Sequence, residues 1–152
     1  MPNGKTSCFA DTNLLVYAID PDEPVKRRRS KDFLSQIINR HILVLSPQSL
    51  NECYRVVTEK RGLMPRNEAR LFVWALGQFC TAKYDFDVIR AAWEIEGRYG
   101  FGWWDCVLLG SALLAHCKVF LSEDMQHEQT IETLTILNPF ELDPDFQFSQ
   151  VK

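Results

Sequence analysis

The sequence predicts an α/β domain, a central parallel sheet with helices packed on both of its faces. Three observations carry that prediction. Short apolar runs, such as Ile42-Leu43-Val44-Leu45 and Val119-Phe120-Leu121, alternate with longer stretches of helical spacing, the order that a parallel sheet with crossover helices requires. The run at 42–45 is apolar at every position rather than every second one, as in a strand buried on both faces. The first run, Cys8-Phe9-Ala10, stops abruptly at Asp11, and a second apolar run begins after Thr12-Asn13. Strand, tight turn and helix in that order put a carboxylate at the carboxyl end of a strand, where open α/β sheets place their ligands.

Length and composition set the bounds. At 152 residues the chain has the size of one domain, long enough for a substantial core. Apolar residues make up 46% and charged residues 24%, as in ordinary globular proteins. The net charge of -3 gives no global attraction for nucleic acid, so such binding needs a local basic patch. Cys8, Cys53, Cys80, Cys106 and Cys117 are odd in number, widely spaced and without a C-x-x-C pair. That pattern argues against a zinc site or a disulfide framework and for reduced thiols in a cytoplasm. The polar opening residues and the early interruption at Asp11 argue against a signal peptide. The apolar stretch at 110–115 is too short to span a bilayer.

The elements follow in order. Residues 1–6 are expected to form a flexible leader. The first strand covers 7–11 and a short helix 13–19. Asp20-Pro21-Asp22-Glu23-Pro24 reads as a turn that starts the next helix, with an acid at the cap and proline just inside. That helix, 24–39, carries Lys26-Arg27-Arg28-Arg29-Ser30-Lys31 and turns Phe33, Leu34, Ile37 and Ile38 to the core. After the strand at 42–45, Ser46-Pro47 opens a helix to about Arg61, stopped by Gly62. Met64-Pro65 restarts a helix to about Phe79, and 81–84 suits a short edge strand. A helix over 85–99 has Val88, Ala91, Ala92 and Ile95 on one face and is broken by Gly100-Phe101-Gly102. Residues 103–116 form the most apolar helix. A strand at 118–121, a turn Ser122-Glu123-Asp124 and a last strand at 134–137 complete the domain over 7–140, leaving an acidic, poorly patterned tail at 141–152.

Three later acids make sense mainly as partners of Asp11. In a parallel sheet Asp11 and Asp124 open on the same rim. Asp105 lies in the first turn of the apolar helix, whose positive end favours an ionised carboxylate. Glu52 sits at the border of the buried helix face set by Leu50, Cys53 and Val57. Carboxylates crowded in a partly dry cleft repel one another and stay ionised only when a cation offsets the repulsion. Hard oxygen ligands select Mg²⁺ or Mn²⁺ over zinc, and such an ion assists phosphodiester hydrolysis. Each acid also has a plain structural role open to it: Asp11 or Asp105 as a helix cap, Asp124 as a turn residue, Glu52 as a solvated helix residue. No P-loop or G-x-G-x-x-G occurs.

At these residues the sequence resembles a PIN-domain ribonuclease, specifically a VapC-type toxin of a toxin–antitoxin pair. The matching pieces are Phe9-Ala10-Asp11-Thr12-Asn13, Ser46-Pro47-Gln48-Ser49-Leu50-Asn51-Glu52, Trp104-Asp105, Leu121-Ser122-Glu123-Asp124-Met125-Gln126 and Asn138-Pro139-Phe140, in the family's order. The resemblance implies a three-layer α/β/α domain with about five parallel strands. It implies Asp11 and Asp105 as principal metal ligands, Glu52 and Asp124 completing the acidic cluster, and Asn13 and Ser122 orienting the acids. It further implies magnesium-dependent endonucleolytic cleavage of RNA, a homodimer, and a small antitoxin whose tail fills the cleft. The alternative is a catalytically inactive PIN scaffold that binds RNA or a protein.

Secondary features have two readings each. Lys26, Arg27, Arg28, Arg29 and Lys31 are candidates for RNA phosphates or form a solvated helix face; Lys60, Arg61, Arg66 and Arg70 form a second such patch. Trp103 and Trp104 offer stacking platforms or core packing. His116 and His127 have acid–base chemistry open to them, but His116 suits a helix C-terminus and His127 is not expected to be catalytic. Leu71, Phe72, Trp74, Leu76 and Phe79 exceed what one buried face needs, which suits a dimer or antitoxin surface.

Overall fold

The computed structural model describes residues 4–151. Its five strands lie in the order β2-β1-β3-β5-β4, with β1 at Ser7–Ala10, β2 at Ile42–Val44, β3 at Val119–Leu121, β4 at Thr130–Ile131 and β5 at Leu134–Leu137. β1 pairs in parallel with β2 and β3, and β3 with β5. The expected α/β/α architecture holds, with one difference. β4 is antiparallel to β5, joined through Glu132-Thr133. Glu132 turns the chain at φ 54 without the Asn-Gly or Asp-Gly signature that marks such hairpins in sequence, which is why β4 was not expected.

Alternate residues of each buried strand feed two cores. Cys8, Ala10, Val119 and Leu121 pack into one, against Leu15, Phe33 and Ile37. Phe9 and Phe120 pack into the other, against Val88, Ala92 and Leu109, and stack on each other with centroids 5.2 Å apart. The first core lies under α1 (Thr12–Tyr17), α2 (Pro24–Arg40), α3 (Pro47–Arg55) and α4 (Arg66–Leu76). The second lies under α5 (Phe86–Tyr99) and α6 (Trp103–Leu114). These two helices meet at Gly110, where a methyl group would stand 3.1 Å from the Val88 carbonyl oxygen. Gly100 closes α5 at φ 75, a conformation that glycine adopts freely.

Several local expectations are corrected. An acid, Glu23, does precede Pro24 at the start of α2, but its side chain makes no capping hydrogen bond. Asp20 is fully buried; it accepts from the Asp22 backbone N–H at 3.0 Å and from Arg61 Nη2 at 2.7 Å. Ile38 is 45% exposed, because it falls past the stripe of Phe33, Leu34 and Ile37. The helix after Ser46 is α-helical only to Arg55. Val56–Lys60 is a wide π-helical turn closed by Arg61 N–H to Val56 O at 2.8 Å. No strand forms at 81–84: a single parallel bridge joins Leu45 to Cys80, and Asp85 caps α5 soon afterwards.

The segment past Phe140 packs on α2. Leu142 and Phe148 are buried, with Phe148 set edge-on against Phe33 and Phe146. Phe146-x-Phe148 forms no regular element of sufficient length, so periodicity could not reveal it. Thr6 is buried too and donates from Oγ1 to Phe148 O at 3.0 Å. Residues 1–3 of the expected leader lie outside the described residues.

Candidate active site

The crevice opens between the carboxyl ends of β1 and β3. The chain leaves β1 for β2 on one side and later returns to β3 on the other, so this is the switch point at which α/β sheets bind ligands. Register does the first assembly step. Ala10 pairs with Leu121, which brings the next residues, Asp11 and Ser122, side by side. Ser122 Oγ donates to Asp11 Oδ2 at 3.1 Å, and the Thr12 backbone N–H donates to Asp11 Oδ1 at 2.7 Å. Asp11 is therefore both the cap of α1 and a cleft acid.

The other acids come from separate elements. Asp105 lies in the first turn of α6, which Gly102 precedes without a side-chain cap. Glu52 lies on α3, whose start is fixed by Ser46 Oγ accepting from the Ser49 N–H at 3.2 Å. Thr12 Oγ1 and Gln48 Nε2 each donate to one oxygen of Glu52, both at 3.2 Å. Asp124 follows β3 and accepts from Asn13 Nδ2 at 2.8 Å. Asp11, Asn13, Glu52, Asp105 and Asp124 line a single cavity of about 750 Å³.

Electrostatics follow from this crowding. Burial pushes Asp11 up to about 6, with Asp105 and Asp124 adding to the rise and hydrogen bonds from Thr12 and Ser122 opposing it. Burial, then Asp124 and Glu52, also raise Asp105. A cation among these groups would reverse both trends. Among the described residues no group of three or more His, Cys, Asp or Glu side chains stands close enough together to hold an ion by itself. The acids form an open rim of oxygen donors instead. Such hard oxygen donors fit a divalent cation that keeps several of its waters. Gln48 belongs to the cleft wall, and its Oε1 is buried without a hydrogen-bond partner.

The remaining lining differs from expectation in two ways. None of Lys26, Arg27, Arg28, Arg29 or Lys31 lines the cleft; Arg55 and Lys60 do. Within the run, Lys26 pairs with Glu123, and Arg29 Nη2 donates to the carbonyls of Pro139 and Leu142. Trp104 is 61% exposed in the cleft lining, together with Tyr84, whereas Trp103 packs against the second core. His127 Nδ1 accepts from the Asn138 N–H at 2.9 Å, and His116 is an exposed residue just past α6. Thr12, Gln48 and Arg55 are contributors that the sequence reading did not single out. Gln48 was findable, being four residues before Glu52 on one helix.

An acid-rimmed cleft at the switch point of a mainly parallel sheet defines the class. Residues 8–132 match the PIN domain model, and the chain belongs to the PIN-domain family. Among solved structures it is similar to a toxin–antitoxin complex from Klebsiella pneumoniae (TM-score 0.63, 18% identity, 89% of this chain and 99% of that chain). It is also similar to VapBC2 from Rickettsia felis, bound to a DNA fragment from its promoter (0.62, 13%, 86% and 97%). A third similar structure is VapC20 of Mycobacterium tuberculosis, described as a sarcin-ricin loop cleaving toxin (0.52, 14%, 74% and 86%). No curated protein matches the sequence. Among the described residues no helix is long and apolar enough to cross a membrane.

Proposed function

We propose that this chain is a Mg²⁺-dependent endoribonuclease, with Mn²⁺ able to substitute, acting in the cytoplasm as the toxin component of a VapBC-type pair. The observation that carries the reading is the convergence of Asp11, Glu52, Asp105 and Asp124, from four separate places in the chain, on one cleft. Membership of the PIN family and the similarity to toxin–antitoxin structures support it. Asp11 and Asp105 would hold the ion, with Glu52 and Asp124 completing the cluster directly or through water. Bound there, it supplies activation of water and charge stabilisation at the phosphodiester. Ser122 and Asn13 hold Asp11 and Asp124 in place. Thr12 and Gln48 do the same for Glu52.

The other cleft residues suit an RNA strand. Arg55 and Lys60 stand where phosphates would enter an otherwise acidic cleft. Trp104 and Tyr84 present aromatic faces on which an unpaired base stacks. Arg28 and Lys31, exposed on α2, are the members of the basic run left for outlying phosphate contacts. Leu71 and Trp74, 72% and 85% exposed on α4, supply an apolar surface for a protein partner, a second copy or an antitoxin.

Magnesium titration with a fluorescent RNA tests the reading. Cleavage that Asp11→Asn and Asp105→Asn abolish, with the fold intact, is the expected result. RNA binding without cleavage by the unmodified protein would favour an inactive scaffold.

A further inference from the structure

Asp124 is the cleft acid on the least regular backbone, a turn just past β3 with an exposed side chain. Its neighbour Glu123 points elsewhere and is held at both oxygens. Tyr17 Oη donates to Glu123 Oε2 at 2.8 Å, and Lys26 Nζ pairs with Glu123 Oε1. Lys26 Nζ also lies 3.5 Å from Tyr17 Oη and 5.3 Å from the centroid of the Phe140 ring. Phe140 in turn packs edge-on against Tyr17, with centroids 5.5 Å apart. Asn13 and Tyr17 are one helical turn apart on α1 and grip successive acids, Asp124 and Glu123. Within the turn, the Asp124 backbone N–H donates to Ser122 Oγ at 3.2 Å.

From this geometry we infer that Lys26 and Tyr17 are positioning residues for Asp124: by fixing Glu123 they fix the 122–124 turn and with it the place of the fourth acid. The inference rests on the metal-site reading above and gives Lys26 a task other than binding phosphate. Lys26 is half-buried against Tyr17 and Phe140 and lies outside the cleft lining. Residues that orient metal ligands from behind typically contribute 10–100-fold to metal affinity. Loss of the Lys26 ammonium or the Tyr17 hydroxyl loosens the turn without removing any cleft oxygen.

Mn²⁺ binding to the full chain, followed by electron paramagnetic resonance, tests this without requiring cleavage. Lys26→Met is expected to weaken Mn²⁺ binding about tenfold and Tyr17→Phe by a smaller factor, each with a cooperative thermal transition retained. Lys26→Arg is expected to restore most of the affinity. In an Asp124→Asn background Lys26→Met should add no further loss, because its effect runs through that carboxylate. Unchanged Mn²⁺ affinity in Lys26→Met overturns the assignment. So does an equal loss with and without Asp124, or a loss confined to RNA affinity. An unmodified protein that binds no Mn²⁺ overturns the metal site and the positioning role together. One that binds Mn²⁺ but cuts no RNA overturns only the nuclease reading.

Discussion

Thr12 Oγ1 lies 3.2 Å from Glu52 Oε2, while the backbone nitrogen of the same residue is 2.7 Å from Asp11 Oδ1. One residue thus ties the acid at the end of β1 to the acid on α3. Thr12→Val keeps the shape and the backbone bond and deletes only the hydroxyl. Its expected effect is a loss of about tenfold in cleavage, the lower end for ligand-orienting groups, with the Mg²⁺ concentration for half-maximal rate moved up. A magnesium titration of the variant checks this, and an unchanged profile would count against a role for Glu52.

Asp11→Asn should separate stability from activity. Raising a carboxylate from 3.8 to about 6 in the folded state costs roughly 3 kcal/mol once it is ionised. That cost is fully present above pH 6, falls as the folded state takes up the proton, and is gone below about pH 4. An asparagine can still accept from the Thr12 N–H and meet Ser122 Oγ. The variant should therefore melt higher than the parent at pH 7.5 in metal-free buffer, with the gap closing toward pH 4, and should not cut RNA. A variant melting lower at pH 7.5 would mean that Asp11 is not held at an electrostatic cost.

Cleavage should fall as pH drops through about 6, because protonated Asp11 is no longer an anionic ligand. The cation competes with that proton, so raising Mg²⁺ should move the fall to lower pH. Rate profiles at two fixed magnesium concentrations test the shift; coincident profiles would show that the titrating group does not touch the ion.

The cleft cations and aromatic residues should divide their effects. Arg55→Gln and Lys60→Gln are expected to weaken RNA binding. Each should also reduce the dependence on log salt by about 0.7 for every single-strand phosphate that it no longer neutralises. Trp104→Ala should cost about 1–3 kcal/mol per stacked base and leave the salt slope alone. Binding measured in Ca²⁺ at several salt concentrations separates the two.

Phe148→Ala removes a fully buried ring packed on Phe33, Phe146 and His41. The expected loss is about 3–5 kcal/mol in denaturant unfolding. A loss under about 1 kcal/mol would show that the last segment is not part of the cooperative unit.

The sequence carries the sheet and the acids because both depend on local signals. Residues 42–45 and 119–121 are apolar runs too short for a helix and rich in β-branched or aromatic residues, as in buried strands, and Asp11 ends such a run. Once the strands are parallel, the rim on which Asp11 and Asp124 open follows. What stayed hidden depends on pairings between distant residues. Lys26 reads as one more charge in a basic run until Glu123, distant in sequence, is found against it. Glu132 takes a left-handed turn with no glycine or asparagine to announce it. Val56–Lys60 contains no glycine or proline to mark a break, and only the i to i−5 bond at Arg61 reveals the wider turn that adjoins Arg55 and ends at Lys60.

All five cysteines are unpaired, and burial raises every one of their thiols, Cys53 and Cys117 up to about 12. The native chain therefore carries almost no thiolate at neutral pH. Four of the five are also buried and only Cys80 is partly accessible, so in a Cys80→Ser parent a single cysteine introduced at exposed Asn51 on the cleft rim would take a fluorophore or spin label nearly alone, giving an optical or magnetic reporter of cleft occupancy.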